Sequence, residues 1–506
     1  MVSPDILWQA LQLVLDPEVL LVVLCAGAFG MFVGAMPGLT ATMATALLVP
    51  VTFFLDPIPA IAAIVTASGM AIFAGDIPGA LLRMPGTPAS AAYVEDAHKL
   101  ALAGKLNLSL GTSLLVSAIG GLFGVLVLIL AAPVLAEFAL KFTSFEYFWL
   151  AVLGLSSAVF IASDNALKAG ISLLIGLSLA TVGLDPTSGT PRFTFGSVDL
   201  LAGIEFVPAM IGLFAIGEVL RGAIRMNTAA PLPQVPPTKG PLFAGLGALI
   251  MRYPKNILRS STLGTMIGAL PGAGADIAAW MSYAFSKRMS KTPEQYGKGH
   301  PEGLVDASAA NNAAVGGSWI PALVFGIPGD SVTAIAIGVL YMKGINPGPT
   351  VFLQTPEIIY AVFMLFILAI IVMVPLGWGT VKLARRVLTI PRRILMPLIL
   401  TFCIVGSFAL TNSPYGIVLM LCIGLAGWFL EENGFPLAPI ILGLVLGGMV
   451  ERNFLTSMIK SDGDLLGFFE RPIAAVLGVL VILLWGTVIV RFVMRMTASR
   501  TQQAES

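Results

Sequence analysis

The chain has 506 residues, of which 57% are hydrophobic and only 11% charged, against roughly 25% charged residues in an ordinary soluble domain. That leaves too little polar surface for a soluble globule, so the chain reads as an integral membrane protein whose first partner is the lipid bilayer. A net charge of +1 supplies no basic field and argues against nucleic acid, and Cys25, Cys403 and Cys422 sit in apolar runs without metal-ligand spacing, which speaks against a disulfide frame or a zinc site.

In chain order, residues 1–16 form an N-terminal segment. Residues 1–18 carry Asp5, Asp16 and Glu18 but no lysine or arginine, so the basic region of a secretory signal is absent and the first apolar run is expected to stay in the mature protein. A first membrane repeat is expected over 17–225. It opens with two apolar arms, 20–33 and 41–54, read as a hairpin around Pro37-Gly38, and continues through 60–74 to a second break over 78–88. Four spans follow, near 110–132, 148–162, 169–183 and 203–217. Arg221 and Arg225 lead into a stiff Pro-rich linker, 226–251, that includes Pro231 to Pro237. A second repeat, 252–455, has its first break at Pro271, its second over 321–328, and spans near 358–377, 394–410, 415–430 and 437–450. Residues 456–506 complete the chain with one more span, 473–490, and a basic tail.

The two halves share a specific pattern. Gly34-Ala35-Met36-Pro37-Gly38 matches Gly268-Ala269-Leu270-Pro271-Gly272 at four of five positions, 234 residues further on. Ile77-Pro78 precedes Pro85-Gly86 by the seven-residue step that separates Ile320-Pro321 from Pro328-Gly329. In a bilayer, non-helical backbone survives only where protein or a water-filled cavity surrounds it, and paired interrupted segments in two halves point to the midplane site of a repeat-built transporter. The plainer reading is that such residues merely kink membrane helices; the duplication argues against it. The residues expected to line the shared site are therefore Pro37, Gly38, Thr40, Pro85, Gly86, Thr87, Pro271, Gly272, Gly274, Pro328, Gly329, Asp330 and Ser331.

Loop charge predicts the relative orientation of the halves, because basic loops stay cytoplasmic. Between its two breaks the first half has Asp56 and no base, whereas the second has Lys287, Arg288, Lys291 and Lys298. After the second break the bias swaps, with Lys99 and Lys105 in the first half against Lys343 in the second. Inverted repeats follow, with the N-terminus outside and the tail of Arg491 to Arg500 inside. The expected fold is an all-α polytopic membrane protein built from two inverted repeats with broken or re-entrant helices.

No enzyme pattern stands out. His98 and His300 fall in loops outside any triad or zinc-protease motif, and a Walker A sequence is absent. Gly272-Ala273-Gly274-Ala275-Asp276 approaches the Gly-x-Gly-Asp of intramembrane aspartyl proteases with one residue too many and no evident second aspartate. Charges within apolar runs are more telling, since each is costly in a bilayer. Asp76 and Arg83, seven residues apart, read either as a structural ion pair or as a site in which Arg83 offers its planar donors to a substrate carboxylate. Asn311 and Asn312 lie among small residues; they either bond neighbouring helices or serve the substrate or a hard cation such as sodium. Thr87, Asp330 and Ser331 occupy matching places after their breaks, where freed N–H groups can meet an anion.

At these blocks the chain resembles the large membrane subunit of the tripartite tricarboxylate transporters, the TctA type. The likeness lies in residues 34–50, Pro85-Gly86-Thr87-Pro88, residues 268–283, Glu302-Gly303 with Ala310-Asn311-Asn312-Ala313, Gly316-Gly317, Ile320-Pro321 and Gly326-Ile327-Pro328-Gly329. It implies a carboxylate importer of the bacterial inner membrane, working by symport with a sodium ion or proton and without a cofactor. The implied partners are a small four-helix membrane subunit and a periplasmic substrate-binding protein, and the implied motion is elevator-like. Two departures bear on the substrate. Ala307-Ser308 stands where the family commonly has Pro-Glu, with Asp306 displaced, and Asp76 and Arg83 replace a small polar residue and an asparagine; the second change argues against citrate itself, not against a carboxylate. The rival reading is a membrane channel or scaffold, which would not saturate or show counterflow.

Overall fold

The computed structural model describes residues 4–161, 165–224, 235–236, 240–388 and 392–486. Arg225, residues 231–234, Pro237 and the basic tail lie outside the described residues. Within them the regular secondary structure is helical apart from one antiparallel pair of two-residue strands, Gly183–Leu184 and Pro191–Arg192. Among the described residues seven helices are long and apolar enough to cross a membrane: Pro17–Ala35, Pro57–Leu82, Val94–Ala139, Phe206–Ile224, Pro356–Ala384, Pro414–Glu432 and Leu437–Lys460. They differ in what they face. Pro57–Leu82 is almost wholly enclosed by protein, whereas Leu122, Leu126, Leu130 and Val134 make an exposed stripe at every fourth residue of Leu106–Ala139, the apolar face that lipid covers in a membrane protein.

The first break is a true interruption. Pro17–Ala35 ends at an extended Met36, Gly38 takes φ +94°, and Thr40 caps Ala41–Phe53 by accepting the Met43 N–H at 3.2 Å. In the second half Pro254–Gly268 ends differently, at Ala269 still in the right-handed helical region (φ −72°, ψ −11°), but Gly272 likewise takes a positive φ of +83°, and Gly274–Met289 starts without a side-chain cap. The arms do not form the expected hairpin: Pro17–Ala35 and Ala41–Phe53 each pack along Pro57–Ala74 more than along each other. Glycine is the reason, since Gly30 and Gly34 let the first arm lie backbone to backbone against Ala67 and Ala71.

The second breaks begin later than expected. Pro78 lies inside Asp76–Leu82 and Pro321 inside Pro301–Phe325, because a proline forfeits one backbone bond and bends a helix without having to end it. The chain turns instead at Arg83 (φ 59°, ψ 26°) and Gly326 (φ 68°, ψ 23°), which close those helices in the same left-handed conformation.

Beyond the breaks the same contacts recur. Gly264 and Gly268 rest on Ala310 and Ala314 as Gly30 and Gly34 rest on Ala67 and Ala71. Gly86 crosses over Gly75 and Gly34, and Gly329 crosses over Ser318 and Gly268. The long helices are exchanged between the halves. Leu106–Ala139 seats Gly120 and Gly124 on Ala309 and Ala313 of Pro301–Phe325, and Pro356–Val387 packs on Pro57–Ala74. Around this centre Ser144–Ile161 and Ala166–Ala180 pack on Leu437–Lys460.

Candidate functional site

Residues from all four breaks line one cavity of about 450 Å³. The first break brings Gly38, Thr40 and Thr42, the second Thr87 and Pro88, the third Gly272, Gly274 and Asp276, and the fourth Asp330 and Ser331; Asn311 joins them from the middle of Pro301–Phe325. Small residues are required where the breaks close on each other. A Cβ on Gly274 would lie 2.7 Å from Cβ of Asp330, and one on Gly38 would lie 3.0 Å from a Glu218 carboxylate oxygen.

Each polar group here is placed by local chemistry. Thr87 closes a tight turn with Ser90, each side-chain oxygen accepting the other's N–H at 3.2 Å. Asp330 caps Ser331–Met342, accepting the Thr333 N–H at 2.7 Å while Thr333 reaches back to the Asp330 N–H at 2.9 Å. Asp276 accepts the Ala89 N–H at 3.1 Å, tying the third break to the second. Asn311 is fully buried; its Nδ2 donates to the Tyr93 hydroxyl at 3.4 Å, and its Oδ1 has no partner among the described residues.

Charge at the cavity is mostly acidic. Asp276 and Asp330 lie close enough for their charges to interact, so Asp330 is a second aspartate near Asp276 that the sequence did not reveal; its Oδ1 is committed to the helix cap. Glu218, Arg221 and Glu431 also line the space, and Arg221 is already bonded to Glu218 at 3.0 Å and to Glu431 at 2.7 Å. What faces the cavity from the first and third breaks is the N-terminal end of a helix, Ala41–Phe53 and Gly274–Met289, where the first N–H groups have no intrahelical partner and favour negative charge.

Several residues expected at the site are elsewhere. Arg83 does not line the cavity; its side chain is 61% exposed and pairs with Glu95 at 2.7 Å. Nor does it pair with Asp76, whose carboxylate accepts hydroxyl protons from Tyr93, at 2.6 Å, and from Ser113. Adjacent helical residues point about 100° apart, so Asn311 and Asn312 do not share one site: Asn312 lines a separate small cavity with Thr66 and Gly121. Pro37, Pro85, Gly86, Pro271, Pro328 and Gly329 shape the breaks without lining the large cavity. Among the described residues no group of three or more His, Cys, Asp or Glu could hold a metal ion. Sequence reasoning missed Asp276 as a lining residue, along with Glu218, Arg221 and Glu431; the last three sit on outer helices whose approach to the breaks no local motif announces.

The family model described as the Tripartite tricarboxylate transporter TctA family matches residues 20–442. From Agrobacterium vitis, the "Uncharacterized 52.8 kDa protein in TAR-I ttuC' 3'region" is 35% identical over 450 residues, covering 88% of this chain and 88% of the relative. The "Uncharacterized protein in TAR-II ttuC' 3'region" from the same organism is 36% identical over 212 residues, covering 42% of this chain and 88% of the relative. No solved structure matches the chain. With its multi-pass helical architecture and a match across most of its length, the chain belongs to the tripartite tricarboxylate transporter TctA family.

Proposed function

We propose that this chain is the transport pathway of a binding-protein-dependent carboxylate importer in a bacterial inner membrane, driven by a cation gradient. The observation that carries the reading is the single cavity lined by all four breaks, onto which two helix N-terminal ends open. Such ends bind anions without a cationic side chain. Thr40, Thr87, Gly272, Gly274, Asn311 and Ser331 make up the proposed carboxylate seat. The acidic lining supports cation coupling: Asp276, Asp330, Glu218 and Glu431 face the space while Arg221 is held by the glutamates. An anion entering that field gains if protons or cations enter with it.

We further infer that the halves are inverted and that the broken helices move as an elevator. The loops support the inversion. Lys343, after the second half's last break, bonds the carbonyls of Phe53 and Leu55 beside the first half's Asp56 loop, at 2.8 and 2.5 Å. At the other pairing, Asp96 in the first half accepts N–H groups from Gly297, Gly299 and His300 in the second, at 2.8–3.0 Å. Each half's first loop thus sits with the other's second, the pairing that the swapped charges predict.

The test is uptake into liposomes. With labelled citrate, tartrate, succinate or benzoate as probe, uptake of at least one should saturate and should need both the small membrane subunit and the periplasmic binding protein. Uptake by this polypeptide alone, at a rate the other two do not raise, would refute the tripartite reading; non-saturating flux would favour a channel.

A further inference from the structure

Asp76 is a carboxylate sealed in protein, 2% exposed, and among the described residues it has no lysine, arginine or histidine within ion-pairing distance. Its oxygens are held by hydroxyls alone. Tyr93 donates to Oδ1 at 2.6 Å and Ser113 to Oδ2, with Ser308 3.2 Å behind Ser113. An uncompensated buried carboxylate is expensive, and binding a proton removes that cost. Tyr93 then connects this group to the cavity, for its hydroxyl accepts Nδ2–H of Asn311, the residue that lines the cavity and whose Oδ1 has no partner among the described residues.

We propose that Asp76 binds the proton that travels with the substrate, and that Tyr93 reports its protonation to the cavity by turning the amide of Asn311. This rests on the cavity being the carboxylate site. With Asp76 ionised, the Tyr93 hydroxyl must donate to it, so Asn311 gives its N–H to Tyr93 and is left with a free acceptor oxygen, which repels a carboxylate. On loading, the Tyr93 O–H bond breaks as its proton passes to Oδ1 of Asp76, and a proton entering from the cavity side past Asn311 re-forms the Tyr93 O–H bond. The net change is one carboxylate and one proton becoming one carboxylic acid. The acid now donates to Tyr93, the Tyr93 O–H turns to the Asn311 oxygen, and the Asn311 N–H groups are released to meet the substrate.

Other titrating groups on the packed elements are engaged elsewhere. Glu95 bonds Arg83, Asp96 bonds the 297–300 backbone, the His98 ring contacts the Ala80 carbonyl, and Lys99 bonds the Gly297 carbonyl. Glu302 and Asp306, on the helix that carries Asn311, face Asn256, and Asp306 also faces Arg259. Asp276 and Asp330 face the cavity rather than Asp76.

The test uses the assembled transporter in liposomes at zero membrane potential, with the transported member of the citrate, tartrate, succinate and benzoate panel as probe. An inward acid gradient of one pH unit should concentrate the probe about tenfold if one proton accompanies each substrate. Asp76→Asn, which mimics the protonated acid, should lose that gradient-driven accumulation while continuing to exchange labelled for unlabelled probe. Tyr93→Phe keeps the ring in its buried seat and should lose the pH dependence of probe binding; it decides the matter if Asp76→Asn does not fold. Wild-type accumulation by either variant overturns the proposal while leaving the carboxylate site standing. Failure of the wild-type complex to take up any panel member removes the carboxylate site, and the proposal with it.

Discussion

The crossing of the breaks can be tested at Gly86 and Gly329 together. A Cβ on Gly86 would lie 2.7 Å from both Cα and the carbonyl oxygen of Gly75 and 3.0 Å from the oxygen of Gly34. On Gly329 it would lie 2.6 Å from Cβ and 2.7 Å from Cα of Ser318, and 2.9 Å from the oxygen of Gly268. Ordinary contact is about 3.5–4 Å, and these neighbours are mostly backbone, which cannot rotate away. The strands of chain must part by about 1 Å, an overpacking that costs roughly 1–3 kcal/mol. Parting also strains the bond from the Gly86 N–H to the Gly75 carbonyl, 3.0 Å long, worth about 1 kcal/mol. Gly86→Ala and Gly329→Ala should each lower the melting temperature of the detergent-purified protein by roughly 1–4 °C, given how melting shifts shrink with chain length, and both should slow uptake by displacing Thr87 or Asp330. Gly379→Ala is the control, because nothing lies within 4 Å of its added Cβ. Melting and uptake indistinguishable from Gly379→Ala in both variants would refute the close crossing.

Two further outcomes follow from the loops and from Arg83. In a background lacking Cys25, Cys403 and Cys422, Asp56→Cys should react with an impermeant thiol reagent from the periplasmic side, and Ser290→Cys only from the cytoplasmic side; labelling of both from one side rules out inversion. Arg83→Gly should leave carboxylate affinity within twofold of wild type and should not lower the melting temperature, because an exposed ion pair is worth about 0–1 kcal/mol and glycine relieves the left-handed backbone. A tenfold loss of affinity in a stably folded Arg83→Gly protein would return this side chain to the site.

The breaks at Pro37-Gly38 and Pro271-Gly272 were legible because glycine there supplies a backbone conformation that other residues resist, and because the motif occurs twice. The place of Arg83 outside the cavity was hidden for a related reason. A charge near Pro85-Gly86 suggests a ligand, yet position 83 is the counterpart of Gly326 as a left-handed helix end, a fact carried by φ and not by residue type. Its partner Glu95 stands twelve residues away across a turn, a distance that helical spacing does not reveal. Asp76 was legible as unusual, but its two hydroxyl partners, Tyr93 and Ser113, stand 17 and 37 residues away, and Ser308 behind Ser113 comes from the other half. The glycine-to-alanine seams at Gly30 and Gly34 and at Gly264 and Gly268 carried a readable four-residue spacing. Glu218, Arg221 and Glu431 carried none, since only the packing of their helices brings them to the cavity.

The two kinds of glycine contact differ in how much chain must exist before they can form. Gly86 finds Gly75 and Gly34 within its own half, and Gly329 likewise finds Ser318 and Gly268, so each crossing closes a short loop. The exchanged seam of Gly120 and Gly124 on Ala309 and Ala313 joins segments that leave the ribosome far apart in time, and closing long loops is the slower, costlier step. Synthesis therefore sets an order: the first crossing forms while the second half is still unmade, and the groove for Pro301–Phe325 stands open until that helix is inserted. A ribosome stalled just short of residue 301 would hold a half-built protein with its first crossing closed, its second not yet possible, and its exchanged seam unfilled.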